Sequence, residues 1–467
     1  MVNIYKTSIL YLFSELSIKA ASFLLLPLYT RLITPAEYGN IYLLITISNF
    51  LTVLFSITIQ SSISRFYFDC RTNDDIINMF SSIIKFILLF SSTLYLITIL
   101  FGNKIFSFLE IEFYPYVILA IIASYFSIFY NMIAALLQVS QKAKQLSLIT
   151  IISSIISLLI MVVLVINIKD KIFAYMFSFF LGSIVNFIIF MLYSYKYFSI
   201  KAKDKKIFKY IKYSGVRLPV DLSAWIVTFA DRLMLYDLKG ESESGIYSIG
   251  YKIGSGIEVI TNAINKAYVP FAFNQLKKDS DLNNLSSKVL NFYTLYFFIT
   301  FTIIMFSKEI VALLAPSYKE SLGVIVIILF SYLINGLKSL FQVPMDFKIE
   351  FVKIKSILWL TSAFVNVFLN LLFIPKYSYT GAAVATFFSY LIIFLPILYF
   401  SDKATKVKYP IKEMLVVLFL SLSILPFFML NLSIFNFLIK LLVLMIYYIL
   451  LSKVINKNLI GILRMLK

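Results

Sequence analysis

Fourteen runs of roughly twenty mostly apolar residues follow one another along this 467-residue chain, and each is about the length an α-helix needs to cross a bilayer. A chain with this pattern must satisfy its backbone inside each crossing, which leaves helices or a closed barrel. The runs are too long for barrel strands. The sequence therefore predicts an all-α integral membrane protein. The expected spans are 8–30, 40–64, 81–101, 115–138, 147–166, 172–195, 215–237, 246–268, 289–306, 321–342, 356–374, 380–399, 411–430 and 434–452. Composition agrees: 61% of residues are hydrophobic and only 14% charged, whereas a soluble domain is about half apolar and about a quarter charged. The start, Met1–Lys6, leads straight into an apolar span without a cleavable-signal pattern, so the first span is expected to stay.

The formal charge of +19 would suit a nucleic-acid binder, but the lysines sit in short loops between spans, where they act as topology signals and lipid contacts. No nucleic-acid partner is expected. Placing the N-terminus inside puts 24 basic residues in inner loops and the C-terminal tail, against 8 in outer loops. This bias predicts both termini in the cytoplasm. Histidine is absent and Cys70 is the single cysteine, so neither a disulfide nor a zinc site is expected. Gly245 and Gly250 have the glycine spacing of a phosphate loop, but Tyr251-Lys252 follows in place of Lys-Ser/Thr. Direct use of ATP is therefore not expected, and no cofactor is implied.

Two motifs recur at nearly one offset. Asn131 with Gln138-Val139 in helix 4 matches Asn335 with Gln342-Val343 in helix 10, 204 residues on. Glu37-Tyr38-Gly39 at the start of helix 2 matches Glu243-Ser244-Gly245 at the start of helix 8, about 206 residues on. An even number of spans per unit gives parallel repeats related by an axis along the membrane normal. The expected organisation is an N-terminal lobe at 1–195 and a basic linker at 196–213. A C-terminal lobe follows at 214–400, then helices 13–14 with the tail at 401–467. The linker interleaves lysine with Phe, Ile and Tyr; it reads either as an amphipathic helix on an anionic leaflet or as a plain basic connector.

Ionisable groups inside a span cost about 2.5–3.5 kcal/mol each and point to function or to buried pairing. Helix 1 gathers Glu15 and Lys19 on one side, spaced i, i+4 so that they can pair. Helix 7 carries Arg217, Asp221, Asp231 and Arg232 within an arc of about 100° if the helix is regular. Helix 8 carries Lys252, Glu258, Asn262, Asn265 and Lys266 within about 140°. Helices 4 and 10 contribute Asn131 and Gln138, then Asn335, Lys338 and Gln342. The cations Lys19, Lys252, Lys266 and Lys338 suit an anionic substrate in a shared cavity. The acids Glu15, Asp221, Asp231 and Glu258 suit an exchanging proton or sodium ion, and the remaining residues suit a polar cavity lining. The alternative is that these groups are ion pairs and interhelical hydrogen bonds that hold the bundle together. Lys85, a lone charge near the inner end of helix 3, reads as a lysine snorkelling to the headgroups.

Three stretches carry a family resemblance: Leu26-Pro27-Leu28-Tyr29-Thr30-Arg31-Leu32 with Pro35-Ala36-Glu37-Tyr38-Gly39; Gly215–Gly254 with Leu218-Pro219, Asp231-Arg232 and Gly245-Ile246-Tyr247-Ser248; and Asn370–Thr386 with Ile374-Pro375 and Gly381-Ala382-Ala383. In order and placement they resemble the polysaccharide (O-antigen type) flippases of the superfamily that also holds multidrug extruders and lipid II flippases. The resemblance implies two lobes with alternating access and a central cationic cavity. The implied substrate is an undecaprenyl-pyrophosphate-linked oligosaccharide moved from the inner to the outer leaflet. It also implies membrane lipids and glycan polymerases or glycosyltransferases as partners, and a transporter rather than an enzyme. The rival readings are a lipid II flippase, a cation-coupled multidrug antiporter and a membrane glycan polymerase or glycosyltransferase. The last normally needs a long external loop, which the spacing of the spans does not leave.

Overall fold

The computed structural model describes residues 20–107, 111–278, 282–347, 351–404 and 407–455, and these are almost entirely helical. The first crossing is described from its outer end, α1 (Leu26–Leu32). Then come α2 (Pro35–Ser56), α3 (Asn73–Leu100), α4 (Ile118–Val139), α5 (Ala143–Asn167) and α6 (Lys171–Ser194). Crossing α7 is built from Ile207–Trp225, a π-turn Ile226–Ala230 and Asp231–Lys239. Crossing α8 joins Glu241–Gly254, Ser255–Ile257 and Glu258–Lys278. After α9 (Leu282–Met305) and α10 (Ser321–Phe347), the helical stretch Val352–Ala404 breaks at Ser378, which has φ 49°; its two arms are α11 and α12. Helices α13 (Ile411–Ser423) and α14 (Ile434–Val454) complete the set. Ten helical stretches in the described residues are long and apolar enough to cross a membrane, and α11 and α12 together count as one of them.

Residues 8–19 of the first expected span lie outside the described residues; the later spans fall on helices with shifted ends. The clearest shift is in α2, which begins five residues before the expected Asn40. Thr34 and Glu37 form a reciprocal capping box there, and Pro35 fits the first helical turn. The same helix stops at Ser56 rather than at 64 because Ile57 and Thr58 take the left-handed conformation, at φ 48° and 51°, a region β-branched residues rarely enter. Helix resumes at Gln60–Phe66 beyond the kink and packs on α7: the Ser62 hydroxyl donates to the Tyr210 carbonyl at 2.6 Å and lies 2.7 Å from the Ser214 hydroxyl.

Helices α2–α6 pack on one another, as do α7–α12, and α13 and α14 lie against α9. The apolar core of the first group continues across Ile249 and Ile253 of α8 and Ile325 and Leu329 of α10. A separate apolar core joins α8 and α9 to α13 and α14. The outermost helices, α5, α13 and α14, expose rows of large apolar side chains such as Leu159, Phe419 and Leu442, as a lipid-facing surface does.

Two polar ties were not anticipated. Lys440 of α14 is fully buried, with its ammonium 2.7 and 3.0 Å from the carboxylate oxygens of Glu309. That ion pair fastens α14 to the connection between α9 and α10. Lys85 does not simply snorkel to the surface; it donates to the carbonyls of Ile200 and Ala202 at 2.6 and 2.5 Å. Together with Ser81 and Ser82, which accept from the Ser199 and Asp204 amides, it straps the linker onto α3. The linker is accordingly a short 3-10 turn at Tyr195–Tyr197, then non-helical chain up to Lys206, with regular helix only from Ile207. The hydrogen-bonding strap takes the place of an amphipathic helix over that stretch.

Candidate functional site between the lobes

The two glycine motifs meet each other. A Cβ on Gly39 would lie 1.9 Å from the carbonyl oxygen of Glu241, and one on Gly245 would lie 1.8 Å from that of Pro35. Residues 39 and 245 differ by 206, and so do 35 and 241, so the contact is reciprocal, as in an isologous two-fold interface. Backbone approach this close admits only glycine. Side chains reinforce it: the Asn40 amide donates to a Glu241 carboxylate oxygen at 2.8 Å, and the Tyr236 hydroxyl donates to Asn40 Oδ1 at 2.7 Å. The Tyr318 hydroxyl donates to the Ile33 carbonyl at 2.9 Å, and the Ala315 amide to the Thr30 hydroxyl at 3.2 Å. These contacts seal the lobes together on the face opposite the basic loops.

Just below the seal, the Lys252 ammonium lies 3.4 Å from the Tyr38 hydroxyl and 6.0 Å from the Tyr42 ring centre, both on the other lobe. Further toward the basic face, Asn131 and Gln138 of α4 and Asn262 of α8 are exposed. A Cβ on Gly256 would meet open space. Arg217 and Asp221 form an exposed i, i+4 pair at 3.3 Å. Lys266 and Glu258 are half-buried, and Asn265 accepts a 3.0 Å hydrogen bond from Ser339. Exposed amides and charges at the depth of a crossing require water or polar cargo, because lipid cannot satisfy them.

The other candidates lie inside the second lobe. Asp231 and Arg232 are buried against each other, Oδ1 to Nη1 3.6 Å. The Asp231 carboxylate accepts from the Tyr247 hydroxyl, from Thr386 at 3.3 Å and from the Arg232 amide at 2.9 Å. The Arg232 guanidinium rests 4.1 Å over the Tyr251 ring and donates to the Thr228 carbonyl. Tyr251 in turn hydrogen-bonds Tyr332 at 2.9 Å. Lys338 is buried 4.2 Å over the Trp359 ring, in the electrostatic field of Glu258, Asp346 and Lys355. Asparagine 335 is half-buried. Gln342 and Lys355 both donate to Asp346 at 2.8 Å.

The polar stripe expected along helix 7 is thus split in two. The π-turn Ile226–Ala230 inserts an extra residue, which rotates all that follows by about 100°. Arg217 and Asp221 stay on an exposed face while Asp231 and Arg232 turn inward. Glu15 and Lys19 lie outside the described residues. Sequence reasoning missed Asn40, Tyr236 and Glu241 at the seal, which sit at helix ends where polar residues raise no alarm. It also missed Lys440, although a lysine in a 21-residue apolar helix meets the same criterion that flagged the others.

This architecture is that of a multi-pass membrane protein with two parallel helical lobes and two added helices. The profile of the family described as polysaccharide biosynthesis protein matches residues 4–277, more than half of the chain, and the chain belongs to that family. An Lsg locus protein of Haemophilus influenzae is 25% identical over 287 residues, 59% of this chain and 68% of that protein. Among solved structures, the lipid II flippase MurJ in an inward closed conformation superposes with a TM-score of 0.77 at 17% identity, covering 97% of this chain and all of that one. A MOP superfamily transporter from Pyrococcus furiosus gives 0.61 at 12% identity, over 86% of this chain and 94% of that one. These structural likenesses establish the fold.

Proposed function

We propose that the protein is a flippase that moves a polyprenyl-pyrophosphate-linked oligosaccharide, of the undecaprenyl type, across a bacterial inner membrane by alternating access. The observation that carries this reading is the reciprocal seal on one face, above exposed polar side chains of α4, α7 and α8 at crossing depth. With the basic loops and both termini in the cytoplasm, that arrangement is the state that receives substrate from inside. The lobes at 1–195 and 214–400 rock about the site, joined by the linker at 196–213, with 401–467 appended. Lys252 and Lys266 hold the pyrophosphate. Lys338, packed on Trp359, joins them only when the second lobe repacks. Asn131, Gln138 and Asn262 offer hydrogen bonds to sugar hydroxyls, and the prenyl tail stays in lipid. Asp231, with Thr386 and Tyr247 on its carboxylate, is the coupling site for a proton or sodium ion. Glycan polymerases and glycosyltransferases are the partners this role calls for.

A second reading, transport of lipid II, draws on the extent of the superposition on MurJ. Deleting the gene separates the two. Lipid-linked repeat units accumulating on the inner leaflet of cells with an intact wall is the expected result. Lysis with accumulated lipid II would replace this assignment with the second reading, and drug sensitivity with normal surface glycan would replace it with a multidrug antiporter.

A further inference from the structure

Beside the linker strap lies a polar cavity of about 420 Å³ between the α2–α3 connection and residues 203–210, lined by none of the residues proposed to hold substrate. Its carboxylates are already engaged. Asp69 pairs with Arg65 at 3.1 Å and Lys209 at 3.6 Å, which hold its carboxyl below the usual range. Asp75 accepts from the Arg71 and Thr72 amides at 3.0 Å. Asp204 accepts from the Tyr210 hydroxyl at 2.6 Å and the Lys206 amide at 2.8 Å. Arg71, Lys203 and Lys206 line the same cavity and form no ion pair within 4.0 Å among the described residues; Asp75 and Asp204 carry no ion pair there either, so with Asp69 matched by Lys209 the lining keeps a net positive charge. Three acidic or thiol groups placed to hold a metal ion are not found among the described residues, so the net positive lining suits an anion rather than a divalent cation.

The surroundings fix the kind of anion. Phe68, Ile200 and Phe208, each within three residues in sequence of a lining residue, expose 70%, 82% and 80% of their surface. Large apolar side chains beside lysines are the signature of a surface seated at the headgroup level of a leaflet. We infer that this cavity binds the phosphate of an anionic phospholipid headgroup, with Arg71 as the forked donor and Lys203 and Lys206 as point charges. Because the Asp204 amide is held by Ser82 and the Lys85 ammonium by the linker carbonyls, a bound headgroup stiffens the strap between the lobes. The inference does not depend on which substrate the protein carries.

Cys70 lines the cavity and is the single thiol, so it reports occupancy directly. Burial pushes its thiol pKa up, so labelling is read at mildly alkaline pH, where thiolate is available. With the full chain in neutral detergent, short-chain phosphatidylglycerol should slow maleimide labelling of Cys70 at least fivefold, and phosphatidylcholine of equal chain length should not. The triple variant R71Q/K203Q/K206Q should lose the protection, while K144Q/K403Q/K412Q, which removes as much charge from other basic-side loops, should keep it. Protection by inorganic phosphate at the same concentrations would retain the anion site and make its source soluble. Equal protection in both triple variants, or by phosphatidylcholine, would overturn the inference. Phosphatidylglycerol counted by mass spectrometry on the purified protein should fall in the first variant alone, and equal counts in the two would count against it.

Discussion

Replacing Arg232 by methionine should cost the protein about 3–5 kcal/mol, the penalty for leaving a buried charge without its partner. Total stabilities of folded domains are about 5–15 kcal/mol, so this single change should remove a large share of the folding free energy. The reason is the burial of Asp231: its carboxylate is fully enclosed, and among the described residues Arg232 is the one cation in contact with it. Tyr247 and Thr386 donate to the carboxylate but bring no charge. The guanidinium also gives up its place over the Tyr251 ring, a desolvated cation–π contact worth about 2 kcal/mol. Thermal unfolding in detergent should show a large fall in midpoint for Arg232→Met. The double change Asp231→Leu with Arg232→Met should recover part of it, since removing both partners of a buried pair is often nearly neutral. A single variant with an unchanged midpoint would mean that Asp231 is neutral or hydrated.

The second large effect concerns the seal. Valine at position 245 would place a methine carbon 1.8 Å from the Pro35 carbonyl oxygen, where backbone cannot give way without moving α2 and α8 apart. The closed state should then be lost. Shifting a two-state equilibrium from 99:1 to 1:99 takes about 5.5 kcal/mol, an amount that a backbone clash in a packed interface readily supplies. In a Cys70→Ser background, cysteines replacing Asn40 and Glu241, whose side chains are hydrogen-bonded at 2.8 Å, should cross-link readily. Adding Gly245→Val should abolish the cross-link and reduce translocation at least tenfold, while the protein still reaches the membrane. Gly215→Ala, where a Cβ would meet nothing, serves as the silent control. A cross-link that survives Gly245→Val would show that the two helices do not need this approach.

The crossings were legible because a twenty-residue apolar run is a strong signal, and the two-fold relation was legible because Gly39 and Gly245 cannot vary where backbones touch. The ends of α2 were less so, since its start depends on a cap at Thr34 and its end on two left-handed residues that no hydropathy window registers. Helix 8 runs to Lys278, past the expected 268, because its basic-side half is polar. On helix 7 the residues were singled out but their directions were not readable: a five-residue π-turn is invisible in an apolar sequence, and it decides that Arg217 is exposed while Arg232 is enclosed. Lys338 is a similar case. Its sequence marks it as a cation of a shared cavity, and only the fold reveals that it is buried with Trp359 beneath it.

The most direct measurement is translocation itself, with the purified full chain in liposomes carrying a polyprenyl-pyrophosphate oligosaccharide in one leaflet and an enzyme that modifies the sugar added outside. The account predicts protein-dependent exposure of the sugar, lost in Lys252→Gln and Lys266→Gln although both variants fold and reconstitute normally. Exposure no faster than in protein-free liposomes, or a full rate in both lysine variants, would contradict it.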